Sequence, residues 1–544
     1  MNFQSYAYGQ NHWLLDPDLK PVLSQYWPAL PEHEAELESF GALAGGRAYA
    51  VADSVDRQAR PALIAHDLDG RRIDRARLDP GHADLLRELA CINRPPYEGG
   101  SWHHHFALGY LLADPGLYCS LIVTNQTAHI IHKYAREHSN WLEPLLSGEA
   151  WGATWMTETH GGSDLGANRT CARQSGGEWR LSGEDKYFAS NAGLADLAVV
   201  TARIEGAPPG PKGISLFLTP RLEPGGELNF HVRRLKEKSA TRAVPTGEID
   251  FNNSLAYLVG EAGKGIYYTM ENLTISRLAN AAGAMGLARK AHLEALYRSA
   301  ARRAFGRPLR EHPLLRLDLT DLAVRTAAGL SLLFYSVELF QRCWLQTPPY
   351  SSGYHYARFF SHLVKNRTAE HAAEVTRLVM EVFGALGFLE EYAISRLHRE
   401  ALVTSIWEGT SNIQALDLLE AMQKKGAHES FLEDFIPRLE RAGTAEARLA
   451  GEKIEQSLAR LKEARNPSEA QWYAKDALRT LADCAQVALL YSLAENSGAA
   501  ADRYSRLAGL YAARFLACEP YPAWALEQDD LWFPIAIEKD ASPG

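Results

Sequence analysis

Thr404-Ser405-Ile406-Trp407-Glu408-Gly409-Thr410-Ser411-Asn412-Ile413-Gln414 sets one carboxylate between two bulky apolar residues and a run of small hydrogen-bonding ones. Apolar neighbours disfavour charge, so the stretch predicts a raised pKa for Glu408 and a base poised near neutral pH. After Gly409 come Thr, Ser and Asn, then apolar residues at Ile413, Leu416 and Leu419. That is the pattern of a helix start with Thr410 or Ser411 as N-cap. Free N–H groups at such a start attract phosphate or flavin oxygens. A capped surface helix with a solvated Glu carries the same short pattern, so the decision rests on the surrounding chain.

Outward from this stretch the chain is helical in both directions. Upstream, Tyr268–Arg303, Pro313–Cys343 and Tyr356–Leu386 read as long helices, and Asn412–Gln423 as a fourth; short connections between them predict an up-and-down four-helix bundle. The small-residue run Ala281-Ala282-Gly283-Ala284-Met285-Gly286 lets another helix approach closely. Downstream of Gly426, Ala447–Ala464, Ala470–Asn496 and Ala501–Cys518 read as amphipathic helices. From Trp151 to about Asn253 the texture changes to short β-like runs separated by turn residues, which predicts a small antiparallel barrel or sandwich. Residues 1 to about 80 read as Pro-rich and irregular between short helical pieces, with His82–Leu89 and Asp114–His138 as helices. The expected architecture is α+β. It comprises an N-terminal helical region over 1–150, a β domain over 151–258, a four-helix bundle over 259–425 and an extra C-terminal helical domain over 426–544.

The 544-residue chain carries a net charge of −9, which argues against a nucleic-acid binder at first glance. Its six cysteines are scattered without a C-x-x-C pair, as expected of reduced core thiols in a cytosolic protein. No signal peptide is read at the N-terminus, and no stretch reaches the roughly 18 uninterrupted apolar residues of a membrane span, so a cytoplasmic protein without a membrane partner is expected. The run Trp102-His103-His104-His105 invites a metal reading. Adjacent histidines point in different directions on any regular element, and no partner Cys or Asp pattern lies nearby, so no metal is expected.

Two stretches of the β region carry further chemistry. Thr157-Glu158-Thr159-His160-Gly161-Gly162-Ser163-Asp164 predicts a tight turn whose hydroxyls and N–H groups reach a polyanion; a simple turn is the alternative. Lys186-Tyr187-Phe188-Ala189-Ser190-Asn191 predicts a strand with Phe188 and Ser190 on one face, suited to a planar heterocycle or to an ordinary core.

Taken together, these stretches resemble the acyl-CoA dehydrogenase family over roughly residues 100–425. The family's T-E-x-x-x-G-S-D turn is matched by Thr157, Glu158, Gly162, Ser163 and Asp164. G-x-K-x-W-I-T-N is met in altered form by Gly183, Lys186, Phe188, Ser190 and Asn191. R-x-x-F-G appears as Arg302, Phe305 and Gly306, G-G-x-G-F/Y as Gly384-Ala385-Leu386-Gly387-Phe388, and E-G-T as Glu408-Gly409-Thr410. The resemblance implies FAD as cofactor and an acyl-CoA thioester as substrate, with Glu408 abstracting the α-proton while the β-hydride passes to the flavin. It places Met156, Thr157, Phe188, Ala189 and Ser190 at the isoalloxazine, with Ser163 at the pyrophosphate or thioester tail. Arg302, Phe305, Gly384 and Ala385 fall at the adenine half, and Thr410 and Asn412 at the helix start facing the pyrophosphate. It adds Arg277 and Gly409 beside the substrate, a homotetramer, and an electron-transfer flavoprotein as possible acceptor. Some relatives carry their base one position before the arginine; here that position is Ser276.

Phe188, Ser190, Glu381 and the pre-core segment Leu63–Asp74 resemble the AidB-like, alkylation-response branch, which also carries an extra C-terminal helical domain. That branch implies a second reading, a protective flavoprotein with weak dehydrogenase activity that binds DNA, and a flavin oxidase is a third. From Gly426 onward the chain holds 13 Lys and Arg against 19 Asp and Glu, a net −6, which does not favour DNA.

Overall fold

The computed structural model describes residues 4–519 and 521–532, without the side chains of Glu184 and Asp185. The chain divides into two compact units, one of residues 51–100 and 115–276, the other of residues up to 50, 101–114 and 277 onward. In chain order the first elements are α1 (Leu19–Ser24), α2 (Leu30–Leu43), α3 (Tyr49–Arg57), the hairpin β1 (Ala62–His66) and β2 (Arg72–Arg77), α4 (Pro80–Leu89), α5 (Trp102–Leu112), α6 (Pro115–Tyr134) and α7 (Leu142–Ser147).

The unit holding residues 115–276 is built on one seven-stranded sheet: β3 (Gly152–Trp155), β4 (Cys171–Ser175), β5 (Glu178–Ala189), β6 (Leu197–Ile204), β7 (Ile214–Pro220), β8 (His231–Leu235) and β9 (Gly247–Val259). The order is β3-β6-β4-β5-β9-β7, and β7 pairs back onto β6, which closes the sheet into a barrel. Pairing is antiparallel except that β3 and β4 run parallel to β6, where the sequence alone predicts an antiparallel barrel. Neither strand meets β6 through a hairpin; each reaches it by a longer connection, as parallel neighbours must. The period of two sends side chains to two cores. Ala198, Val200 and Ala202 of β6 and Phe217 of β7 fill the barrel. Leu197, Val199, Leu216 and Leu218 face outward and pack against Ala128, Ile130 and Ile131 of α6. Both faces being buried explains the near-continuous apolar run of β6.

The other unit contains the helical bundle. Helix α8 (Gly265–Ala301) enters it at Arg277 and is followed by a tight two-stranded turn, β10 (Arg303–Ala304) and β11 (Arg307–Pro308). Then come α9 (Pro313–Gln341), α10 (Ser352–Phe383), α11 (Ala393–Thr404) and α12 (Ser411–Lys425), and a tail of α13 (Ala427–Ala442), α14 (Ala445–Lys462), α15 (Pro467–Asn496), α16 (Ala501–Phe515) and α17 (Asp529–Trp532). Small residues set the helix spacing: a Cβ on Gly329 of α9 would lie 2.5 Å from Met285 Sδ of α8. Helix α9 is long and apolar enough by composition to cross a membrane, but its apolar stretch is buried within this unit.

The N-terminal region departs from expectation. Helices α2 and α3 form one run, joined by the π-turn Ala44–Ala48. Gly45 marks this turn because a Cβ there would strike the Gln10 carbonyl, a packing demand and not a helix break. The hairpin β1–β2 follows, where the sequence reads as irregular. The predicted helix Asp114–His138 is cut back to α6, since Ala113 takes a left-handed φ of 49° and ends α5 just before Pro115. The first residues are anchored deep in the same unit. Glu294 of α8 accepts hydrogen bonds from Tyr6 N (2.9 Å), Ala7 N (3.2 Å), Tyr49 (3.3 Å) and Ser5. Asp18 accepts from Arg503 and Tyr504 of α16.

Candidate functional site

Helix α11 ends at Thr404 and α12 begins at Ser411, and the six residues between carry Glu408. Glu408 is half-buried and holds a left-handed φ of 59°, uncommon for a residue with a Cβ. Gly409 follows at φ 96°, and a Cβ there would lie 2.7 Å from Gln414 Nε2, so both conformation and space require glycine.

Three carbonyls of this segment and that of Thr404 at the end of α11 are held by side chains from three helices. Asn280 of α8 donates to Thr404 O (3.1 Å). Lys365 of α10 donates to Gly409 O (2.6 Å) and Ser405 O (3.3 Å). Arg277 of α8 donates to Glu408 O (3.4 Å) and pairs with Asp417 of α12 (2.9 Å). Gln414 donates to Glu408 O (2.8 Å) and Gly409 O (3.0 Å). His362 Nδ1 lies 2.8 Å from Gln414 Oε1. Burial lowers the His362 pKa to about 3, so the ring is neutral; its Nδ1–H donates to the amide oxygen and turns the Gln414 nitrogen toward the loop.

The surroundings of Glu408 differ from the sequence expectation. Ile406 is 63 % exposed and forms no apolar wall. Two cations are the charged neighbours. Burial lowers the Lys365 pKa to about 7, against the opposing pull of the Glu408 charge. Burial likewise lowers Arg277, opposed by Asp417 and Glu408. Arg277 Nη1 is buried and has no hydrogen-bond partner among the described residues, a spare donor beside the Glu408 loop.

Thr410 is the N-cap of α12, as the sequence predicts, but its hydroxyl makes no capping bond and it is exposed, as is Asn412. Ser411, the other candidate cap, accepts instead from Asn366 of α10 (2.9 Å). In the same unit, Phe305 stands at the tip of the β10–β11 turn with φ 48° and is 96 % exposed, and Arg302 beside it is exposed. Gly384 ends α10 at φ 65° and, with Ala385, is exposed.

The remaining predicted residues lie on the barrel unit. Phe188 is 56 % exposed near the end of β5, while Ala189 points into the barrel core, so only its backbone is left for a ligand. Ser190 follows half-buried, its carbonyl accepting from Trp155 Nε1 (2.8 Å). Lys236 lies over both the Tyr187 and Phe188 rings, 4.6 Å from the latter. Thr157 O accepts from Tyr187 N (2.9 Å), which ties the turn to β5, and a Cβ on Gly162 would run into the Thr157 hydroxyl. Met156 is half-buried, its carbonyl accepting from Asn168 (3.0 Å) and Lys186 (3.3 Å); Ser163 is exposed. Under this turn Glu158 and Lys186 form a fully buried pair at 2.9 Å. Glu158 also accepts from Arg169 N and the Thr170 hydroxyl (both 2.6 Å). Burial raises the Glu158 pKa, but Lys186 and these donors outweigh it and hold the carboxyl low.

Sequence reasoning missed Lys365, Gln414, His362, Asn280 and Asp417. The available signal was polar residues on buried helix faces, such as Lys365-Asn366 amid the apolar positions of α10.

Comparison with known proteins agrees with these features. The chain matches the adaptive response protein AidB N-terminal domain over residues 2–150, the acyl-CoA dehydrogenase middle domain over 153–254 and the acyl-CoA dehydrogenase C-terminal domain over 263–423. It is 30 % identical over 404 residues to the putative acyl-CoA dehydrogenase AidB of Escherichia coli, covering 69 % of this chain and 72 % of that one. The solved structure of Bd2924 in its apo-form superposes with a TM-score of 0.79 at 27 % identity, over 89 % of this chain and 98 % of that one. Caenorhabditis elegans ACDH-11 in complex with C11-CoA shares the fold, with a TM-score of 0.81 at 24 % identity over 97 % and 96 % of the two chains. The chain thus belongs to the acyl-CoA dehydrogenase family of oxidoreductases, in its AidB-like branch.

Proposed function

We propose that the protein is an FAD-dependent dehydrogenase of an acyl-CoA thioester, with Glu408 as the base. The observation that carries this reading is the built position of Glu408, a carboxylate on a left-handed residue whose own carbonyl is held by Arg277 and Gln414. An α-CH is a weak acid, so the base must be fixed against the substrate before it reacts. The residues suit a flavin dinucleotide. Phe188 offers a half-exposed ring to a planar heterocycle, and the start of α12 offers the exposed, uncommitted hydroxyl of Thr410 to a phosphate. Arg302 and Phe305 offer a cation and an exposed ring to an adenine half. When bound, the flavin supplies the hydride acceptor. This chain's residues orient the thioester, with Arg277 Nη1 as the spare donor and Glu408 Oε taking the α-proton. Electron-transfer flavoprotein as acceptor and a homotetrameric, cytoplasmic enzyme belong to the same proposal.

Anaerobic titration of the purified yellow protein with a panel of acyl-CoAs tests it. Prompt bleaching of the visible flavin band by one chain class is expected; a yellow protein that no thioester reduces overturns it. Replacing Arg302 with Ala is expected to lower FAD occupancy several-fold, read from the ratio of flavin to protein absorbance. Full occupancy removes that residue from the cofactor site.

A further inference from the structure

Two histidines and a glutamate outside the Glu408 region form a cluster. His33 and Glu36 stand one turn apart on α2, and His104 reaches them from α5. Each offers one ligand atom such that all three lie within 4.8 Å of one another. His33 Nδ1 is 3.3 Å from Glu36 Oε2, and His104 Nε2 is 3.2 Å from Glu36 Oε1. A tetrahedral ion with bonds of about 2.0 Å holds its ligand atoms roughly 3.3 Å apart. His104 is nearly fully buried, and its Nε2 faces the Glu36 carboxylate. Trp27 stacks on both imidazoles, at 5.0 Å from His33 and 5.1 Å from His104, and so restricts both rings. Glu36 is half exposed, which leaves an open side for a water as fourth ligand.

We infer that His33, Glu36 and His104 bind one divalent transition-metal ion of the zinc class, clipping α2 to α5. Two imidazoles and one carboxylate match zinc and its borderline-soft neighbours; magnesium and calcium require oxygen donors throughout. The Trp102–His105 run has no partner Cys or Asp pattern near it in the sequence. The partners come from α2, some seventy residues upstream, and only one of the adjacent histidines is used.

A carboxylate accepting a hydrogen bond from each imidazole would show similar distances, and metal titration separates the two arrangements. Full-length holoprotein is freed of metal with a chelator and titrated with Zn2+ against a chromophoric zinc indicator. Co2+ uptake is followed in the visible spectrum to the red of the flavin band. One equivalent of Zn2+ per chain is expected, not displaced by Mg2+, together with a tetrahedral Co2+ band. His33→Ala, which removes one ring stacked on Trp27, and Glu36→Gln, which keeps the shape of its half-exposed side chain, are expected to weaken Zn2+ by at least about tenfold and to abolish the Co2+ band. His104→Ala should do the same. Absence of saturable uptake, or unchanged affinity in His33→Ala, overturns the assignment.

Discussion

Replacing Glu408 with Gln is expected to leave the flavin bound and to slow acyl-CoA-driven bleaching by about 10²–10⁴-fold, the usual worth of a positioned general base. Gln keeps the shape of the side chain and the same backbone, so the left-handed φ and the bonds to its carbonyl from Arg277 and Gln414 are retained. What is lost is the acceptor for the α-proton and the negative charge that opposes the burial of Lys365 and Arg277. Anaerobic stopped-flow mixing with the best acyl-CoA reads the rate directly, and the absorbance spectrum before mixing reads the flavin content. Bleaching at the parental rate would exclude Glu408 as the base. A protein that loses its flavin instead would assign the residue to the architecture of the loop.

The second large effect is on stability against pH. Burial lowers the pKa of Lys365 from 10.5 to about 7. Between those values the unfolded chain holds a proton on this group that the folded protein has released, so stability rises with pH across that window. The full effect, on the order of 5 kcal/mol, is present above the unfolded value and is lost as pH falls toward 7. Lys290, also lowered by burial to about 7, acts in the same direction. Replacing Lys365 with Met removes its share. Urea unfolding midpoints measured from pH 7 to 10 should climb less steeply in this variant than in the parent. The variant also loses the bonds to Ser405 O and Gly409 O; Gly409 O keeps its bond from Gln414, but Ser405 O loses its Lys365 donor at about 1–3 kcal/mol, so the variant should be less stable throughout. Parallel pH profiles for parent and variant would show that Lys365 stays charged inside the fold.

The helices of the bundle were legible because their apolar periodicity is long. Pro313–Gln341 was read within two residues at its C-terminal end, and Ser411–Lys425 within two at either end. The barrel strands were legible as runs and as a barrel, but the pairings of β9 with β5 and β7 and the parallel approach of β3 to β6 were not, since they join residues that no local pattern links. The N-terminal run α2–α3 was not legible in a stretch that reads as irregular between short helical pieces, since the demand on Gly45 is its close approach to Gln10, thirty-five residues away in the chain. At the candidate site the motifs located Glu408, Gly409 and Thr410, but the electrostatics of the loop were not in them. Lys365 and Arg277 come from α10 and α8, and their approach replaced the apolar wall expected from Ile406. His104 shows the same limit, since its nearest cluster partners lie on another helix.

The anchoring of Asp18 by Arg503 joins residues 485 positions apart in the chain. Synthesis proceeds at roughly 5–20 residues per second, so Asp18 leaves the ribosome about 25–100 s before its partner exists. By about the midpoint of that interval the barrel strands have all of their sequence, while the helical unit does not. The helical unit therefore closes last, and its first fifty residues, with the N–H groups that Glu294 of α8 later accepts from and the Asp18 carboxylate that α16 later satisfies, wait exposed to chaperones and proteases until the tail arrives.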